Sequence, residues 1–147
     1  MTDLQFMQRA LELAQQAKAV DEVPVGAVLV LDNQIIGEGY NQSIKLNDPT
    51  AHAEIIALRA AGLQRQNYRL LNTTLYVSLE PCAMCLGALQ HARIAKLIYG
   101  ASDPKTGAVE SVYQLLNQSL NHRICWEKGL LSAESAELLR TFFRERR

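Results

Sequence analysis

The sequence predicts an α/β fold, a three-layer α/β/α sandwich around a central mixed sheet of five strands. Three observations predict it. Runs of β-branched residues alternate with stretches of helical period, two of the runs form a hairpin, and two others flank a helix as a β-α-β unit. With 147 residues, of which 48% are apolar and 20% charged, the chain has enough apolar side chain for one core. A single domain over residues 1–147 is expected, and disorder or a collagen-like repeat is excluded.

Leu4, Met7, Leu11 and Ala14 recur at helical spacing behind Thr2 or Asp3, either of which can cap, and before Pro24, which disfavours helix at Val23. An amphipathic helix opens the chain. Val25 to Leu31 is a continuous run rich in β-branched residues, and after Asp32-Asn33 the segment Gln34 to Tyr40 resumes it. This reads as a hairpin whose first strand is buried on both faces. Gln42 to Thr50 is a polar loop ending in Thr50 as helix cap, and a helix follows from about Ala51 to Ala61. Leu75 to Leu79 is a strand. Pro81 sits where the first turn of a helix tolerates proline, and that helix runs to Ala92 before a strand from Ile94 to Tyr99. Ser102 to Gly107 is turn-like, Val112 to Leu116 a short helix, and Ile124 to Trp126 a fifth strand. Ser132 caps a last helix with Ala136, Leu139 and Phe143 on its apolar side and Phe142 beside them.

Lys+Arg and Asp+Glu both number 15, so a strongly basic nucleic-acid binder is not indicated. The average hides a gradient. Residues 1–58 carry three basic and eight acidic side chains, and residues 59–147 carry twelve and seven. The basic end is steepest at Arg140, Arg144, Arg146 and Arg147, where a polyanion can dock or where a surface helix simply ends in solvent. The longest apolar run, Val23 to Leu31, has nine residues, far short of the ~20 that span a bilayer. Three cysteines, an odd number with no secretory leader before them, point to the reducing cytoplasm.

Two short motifs carry the chemistry. His52-Ala53-Glu54 opens one helix, and Pro81-Cys82-Ala83-Met84-Cys85 opens another. Cys82 and Cys85, three apart, place both sulfurs on one helix face within reach of one metal ion, and a helix N-terminus favours the thiolate. A C-x-x-C that follows a strand and opens a helix is equally the context of a thioredoxin-like redox pair, and the motif by itself leaves both readings open. His52 and Glu54 shift the balance, because a redox dithiol needs neither an imidazole nor a carboxylate at another helix start. Two positions apart, they point roughly 200° apart around a helix. They share a site only beyond the helix end, where Cys82 and Cys85 also point if two helix N-termini converge at one sheet edge. His52, Cys82 and Cys85 then form a three-ligand set with a fourth position open, the pattern of a catalytic zinc. Glu54 is the acid/base beside it. Cys125 is expected to be a small buried hydrophobe beside Trp126, His91 to sit at a helix C-terminus, and His122 to lack a partner; none is taken as a ligand.

The signature His52-x-Glu54 with Pro81-Cys82-x-x-Cys85 resembles that of the zinc-dependent nucleoside and nucleobase deaminases. Val23-Pro-Val-Gly-Ala-Val, Gly37-Glu-Gly-Tyr-Asn41, Asp48-Pro-Thr-Ala-His-Ala-Glu54, Asn67-Tyr-Arg-Leu70, Lys105-Thr-Gly107 and Phe142-Phe143-Arg are similar to the bacterial tRNA-specific adenosine deaminase family along nearly the whole chain. The resemblance implies a cytidine-deaminase-like fold, one zinc per chain on His52, Cys82 and Cys85, and Glu54 as proton shuttle. It further implies hydrolytic deamination of adenosine to inosine at the wobble position, a tRNA anticodon stem-loop as partner, and a homodimer with no membrane association. Asn41 would read the flipped base through its amide, with Ala53 beside it. Asp103 and Lys105 would lie near the anticodon nucleotides, and Phe143 and Arg144 would grip the RNA by stacking and by charge. A free cytosine, guanine or nucleoside deaminase shares the zinc motif and is the alternative reading. A redox protein and a zinc-stabilised RNA-binding module without activity are disfavoured by Glu54, which neither needs.

Overall fold

A computed structural model describes residues 1–146; Arg147, counted above with the basic C-terminus, lies outside the described residues. Helix α1 spans Asp3–Ala19, and Thr2 caps it with a reciprocal box: the Thr2 hydroxyl accepts from the Gln5 amide, and the Gln5 side chain accepts from the Thr2 amide. Strands β1 (Gly26–Leu31) and β2 (Gln34–Tyr40) form the expected hairpin. Asp32 and Asn33 both take positive φ at its turn, 50° and 62°, as a two-residue turn matched to strand twist requires.

Helix α2 (Ala53–Arg65), strand β3 (Thr74–Leu79), helix α3 (Ala83–Ala92), strand β4 (Lys96–Ala101), strand β5 (Cys125–Lys128) and helix α4 (Ser132–Arg144) complete the chain. The sheet order is β2-β1-β3-β4-β5, antiparallel across β2/β1 and β1/β3 and parallel across β3/β4 and β4/β5. The mixed five-stranded sheet is therefore as predicted. Alternation along the strands sorts two cores. Ala27, Leu29, Leu75, Val77, Leu97 and Tyr99 face the layer of α2 and α3, while Val28, Val30, Tyr76 and Ile98 face α1. Helix α4 lies along β4 and touches α1.

Several local expectations are corrected. Thr50 does not cap α2: its amide and hydroxyl both donate to Asp48 Oδ1, at 2.9 and 2.7 Å, and the helix starts two residues later with His52 as its N-cap residue. Pro81 stands just before Cys82, the N-cap residue of α3, rather than within the first turn. Ser132 is the first residue of α4; Leu131, at φ 56°, precedes it and no side chain caps the helix. Between Val112 and Leu116 only one 3-10 turn forms, at Leu115–Asn117. Cys125 is exposed because β5 is the edge strand; the buried side chain of that segment is Ile124, and Trp126 stacks on Tyr99 at 6.1 Å. His122 has a partner after all, since its Nε2 lies 2.5 Å from the Ile94 carbonyl.

Strand polarity positions the site. Because β2 and β3 both run antiparallel to β1, their C-terminal ends lie at the same sheet edge, and α2 and α3 both begin there. Glycines let α2 lie close against β2: a Cβ on Gly39 would stand 2.3 Å from the Ala53 carbonyl oxygen.

Candidate metal centre and active site

The two helix starts bring His52, Cys82 and Cys85 together. His52 Nδ1 lies 3.7 Å from Cys82 Sγ and 3.5 Å from Cys85 Sγ, and all three donor atoms fall within 4.8 Å of one another. No other cluster of three metal-ligating side chains occurs among the described residues. One imidazole nitrogen and two thiol sulfurs in one half-buried corner suit zinc in particular, and a three-residue set leaves room for a non-protein ligand. The two thiols hold their protons unevenly. Hydrogen bonding from the Cys85 thiol, with His52 adding to it, holds Cys82 far below its ordinary value, at about 4. Cys85 is shifted upward as the thiol that donates to Cys82. His52 is raised first by its hydrogen bond with Cys82.

Glu54, in the first turn of α2, is 4% exposed. Burial pushes its carboxyl up to about 7, and the sulfur of Cys82 adds to the rise. A carboxyl poised near neutrality, beside a metal corner and without a lysine or arginine partner among the described residues, has the properties of a general acid/base rather than of a structural ion pair.

These groups open into a cavity of about 200 Å³. Asn41, His52, Glu54 and Cys82 line it together with Glu80, Asp103 and Thr106, and Val23, Val25 and Leu79 add apolar surface. Asn41 Oδ1 accepts the Ala53 amide at 2.8 Å, which orients the Asn41 side chain and commits the Ala53 N–H. Asp103 Oδ1 accepts the amides of Lys105 and Thr106 at 3.0 and 3.2 Å, and Oδ2 accepts the Thr106 hydroxyl at 2.8 Å. The residues named from sequence thus divide. His52, Glu54, Cys82, Asn41 and Asp103 line the pocket; Cys85 lies beneath it, fully buried; Ala53, Lys105, Phe143 and Arg144 are not among its lining residues.

At the C-terminus, Phe142 is buried and Phe143 is half exposed against it, ring edge to ring face. Arg146 is not free. Its guanidinium lies 3.6 Å over the Phe142 ring and 2.5 Å from the Asp21 carboxylate, so this part of the basic end is tied to the fold. Glu22 and Glu80, both 2% exposed, escaped the sequence reading. Glu22 accepts the amides of Ile44 and Lys45 at 3.2 and 2.8 Å and holds the loop that leads to α2. The available signal was position: Glu80 is a charged residue trapped between a buried strand and the Pro81-Cys82 helix start.

Comparison with known proteins agrees with this geometry. The family model described as the cytidine and deoxycytidylate deaminase zinc-binding region matches residues 1–101. A tRNA-specific adenosine deaminase of Haemophilus influenzae is 55% identical over 147 residues, covering 99% of this chain and 85% of the relative. A structure solved in studies of A-to-I editing by deaminases acting at the wobble position of transfer RNA superposes with a TM-score of 0.90 at 48% identity, covering 92% of this chain and 99% of the other. A guanine deaminase from Nitrosomonas europaea shares the fold, with a TM-score of 0.84 at 24% identity over 96% of this chain and 84% of that one.

Proposed function

The chain belongs to the cytidine and deoxycytidylate deaminase family, and from that premise we propose that it is a tRNA-specific adenosine deaminase, converting adenosine to inosine at the wobble position. The observation that carries the chemistry is the convergence of His52, Cys82, Cys85 and the buried Glu54 on one pocket. Near-full-length identity to a tRNA-specific adenosine deaminase selects the substrate. Likeness to the guanine deaminase reaches only the fold, so a free-base activity is not favoured.

His52, Cys82 and Cys85 hold the zinc. When bound there, the metal supplies Lewis-acid activation of water. Glu54 takes a proton from the water that adds to C6 of adenine and delivers it to N1, then takes the second proton from the new C6 hydroxyl and passes it to the departing amine, so that adenosine and water yield inosine and ammonia. A carboxyl near 7 suits both directions of transfer at neutral pH. Asn41, its oxygen held by Ala53, retains Nδ2 as a donor for an acceptor on the purine edge. A cavity of about 200 Å³ with apolar walls at Val23, Val25 and Leu79 suits a single base, which must leave its stack to enter. Asp103 faces this base or its ribose, while Lys105, Phe143 and Arg144 lie outside the pocket and serve neighbouring nucleotides of the anticodon stem-loop. We place the protein in the cytoplasm, in keeping with its free thiols and its substrate.

The partner subunit is a second copy of this chain. An apolar groove between α2 and α3, bounded by Leu58, Leu63, Tyr68 and Leu70, leaves Leu63 and Tyr68 81% and 76% exposed, which supports a face covered by a protomer. Incubation with total tRNA, followed by sequencing, tests the function. The expected result is adenosine read as guanosine at the wobble position; deamination of free bases with no change in tRNA would reverse the assignment.

A further inference from the structure

Besides Glu54, the pocket wall contains a second buried carboxylate that the chemistry above does not use. Glu80 follows β3 directly and is 2% exposed, yet no lysine or arginine pairs with it among the described residues. A buried charge of this kind is tolerated only if its hydrogen-bonding capacity is met. Here it is met by one segment. Oε1 accepts the Asp103 amide at 3.0 Å and the Ser111 hydroxyl, and Oε2 accepts the amides of Val109, Glu110 and Ser111 at 3.1, 2.9 and 3.0 Å.

The segment is shaped to receive it. At Gly107 a Cβ would lie 2.3 Å from the Glu80 carboxyl carbon, so only glycine lets the loop close over the carboxylate. The next amide, of Ala108, donates to the Pro81 carbonyl at 2.9 Å. The loop is therefore pinned to the two residues that precede Cys82. The same loop presents Asp103 and Thr106 to the cavity that Glu54 also lines. Because Asp103 spends its carboxylate on Lys105 and Thr106 within the loop, it stiffens that wall but does not fasten it to the sheet.

We propose that Glu80 is a positioning residue for the deamination: its carboxylate fixes segment 103–111 so that Asp103 and Thr106 form a rigid wall against the entering nucleoside. This rests on the reading that the pocket receives adenosine. Its oxygens are committed to the loop, so Glu80 acts through that wall and leaves proton transfer to Glu54.

The test is steady-state kinetics on an anticodon stem-loop RNA, together with zinc content and amide hydrogen exchange. The variants are Glu80→Gln, Ser111→Ala and Gly107→Ala. Glutamine turns an NH₂ toward amide donors. Glu80→Gln should keep one zinc per chain, raise KM, and lower kcat/KM by about 10-fold to 100-fold, the scale of an ångström-sized misplacement at a reacting centre. Amides 103–111 should exchange faster while those of α1 do not change. Ser111→Ala, which removes one donor, and Gly107→Ala, which lifts the loop, should move KM and exchange the same way, and they decide the matter if Glu80→Gln does not fold. Val30→Ala, on the α1 face of the sheet, serves as a destabilised control with unchanged KM. Wild-type KM and loop exchange in the variants that fold, or an equal KM change in Val30→Ala, would overturn the proposal. Absence of turnover by the wild-type protein counts instead against the functional assignment, and the exchange data still decide whether Glu80 holds the loop.

Discussion

Glu54 owes its raised pKa first to burial, and it is buried in the first turn of α2, at the pocket wall. Glu54→Gln preserves shape and removes the ionisable group. It should retain zinc and RNA affinity while turnover falls by about 10²-fold to 10⁴-fold, the usual contribution of a general acid/base; near-normal turnover with full zinc would remove Glu54 from the chemistry. Asp48 shows the opposite shift. The Thr50 hydroxyl and amide, with Arg59 nearby, hold its carboxyl below the ordinary 3.8. A depressed carboxyl adds stability above its unfolded pKa and loses it as pH falls through the folded one. Asp48→Ala should accordingly melt below wild type at pH 7, and the gap should close as pH is lowered from about 4. A gap that persists into strong acid would mean the aspartate acts through something other than its charge.

At the scale of elements, the metal corner depends on how closely α2 approaches β2. A Cβ at Gly39 would meet the Ala53 carbonyl oxygen at 2.3 Å, and the helix backbone has to retreat. Gly39→Ala should cost about 1–3 kcal/mol of stability, typical of overpacking, and should weaken zinc binding because His52 moves with the helix. Zinc titration beside thermal melting checks both, and unchanged zinc affinity would show that the ligands are placed independently of this contact. Elements of this kind were legible in the sequence because periodicity and β-branching report local burial: both hairpin strands and the β-α-β unit follow from them, while the meeting of His52 with Cys82 and Cys85 is expected only on condition that two helix N-termini converge at one sheet edge. What stayed hidden depends on partners distant in the chain. Thr50 looks like a cap until Asp48 engages it. Cys125 looks buried until β5 proves to be the sheet's edge. Glu80 looks like any charge at a strand end, since its five donors lie 23 to 31 residues further on. Arg146 looks solvated because Asp21 stands 125 positions away.

For the molecule as a whole, the exposed Leu63 and Tyr68 on the α2/α3 groove set the expectation of a homodimer. Light scattering at micromolar concentration should give about twice the chain mass, and Leu63→Glu should shift it to monomer. A wild-type protein that is monomeric and fully active would exclude that face as a subunit contact. The uneven exposure of the three cysteines has a practical consequence. Cys125 stands open on the edge strand, Cys82 is half buried and Cys85 is fully buried beneath the pocket. The molecule thus carries its own occupancy gauge. With zinc in place, a thiol-specific reagent should find one fast-reacting sulfur per chain, and after chelation Cys82 should join it. In Cys125→Ser the fast signal should vanish from the loaded protein and reappear only as metal leaves and Cys82 is exposed to the reagent, so metal loss can be followed by colour.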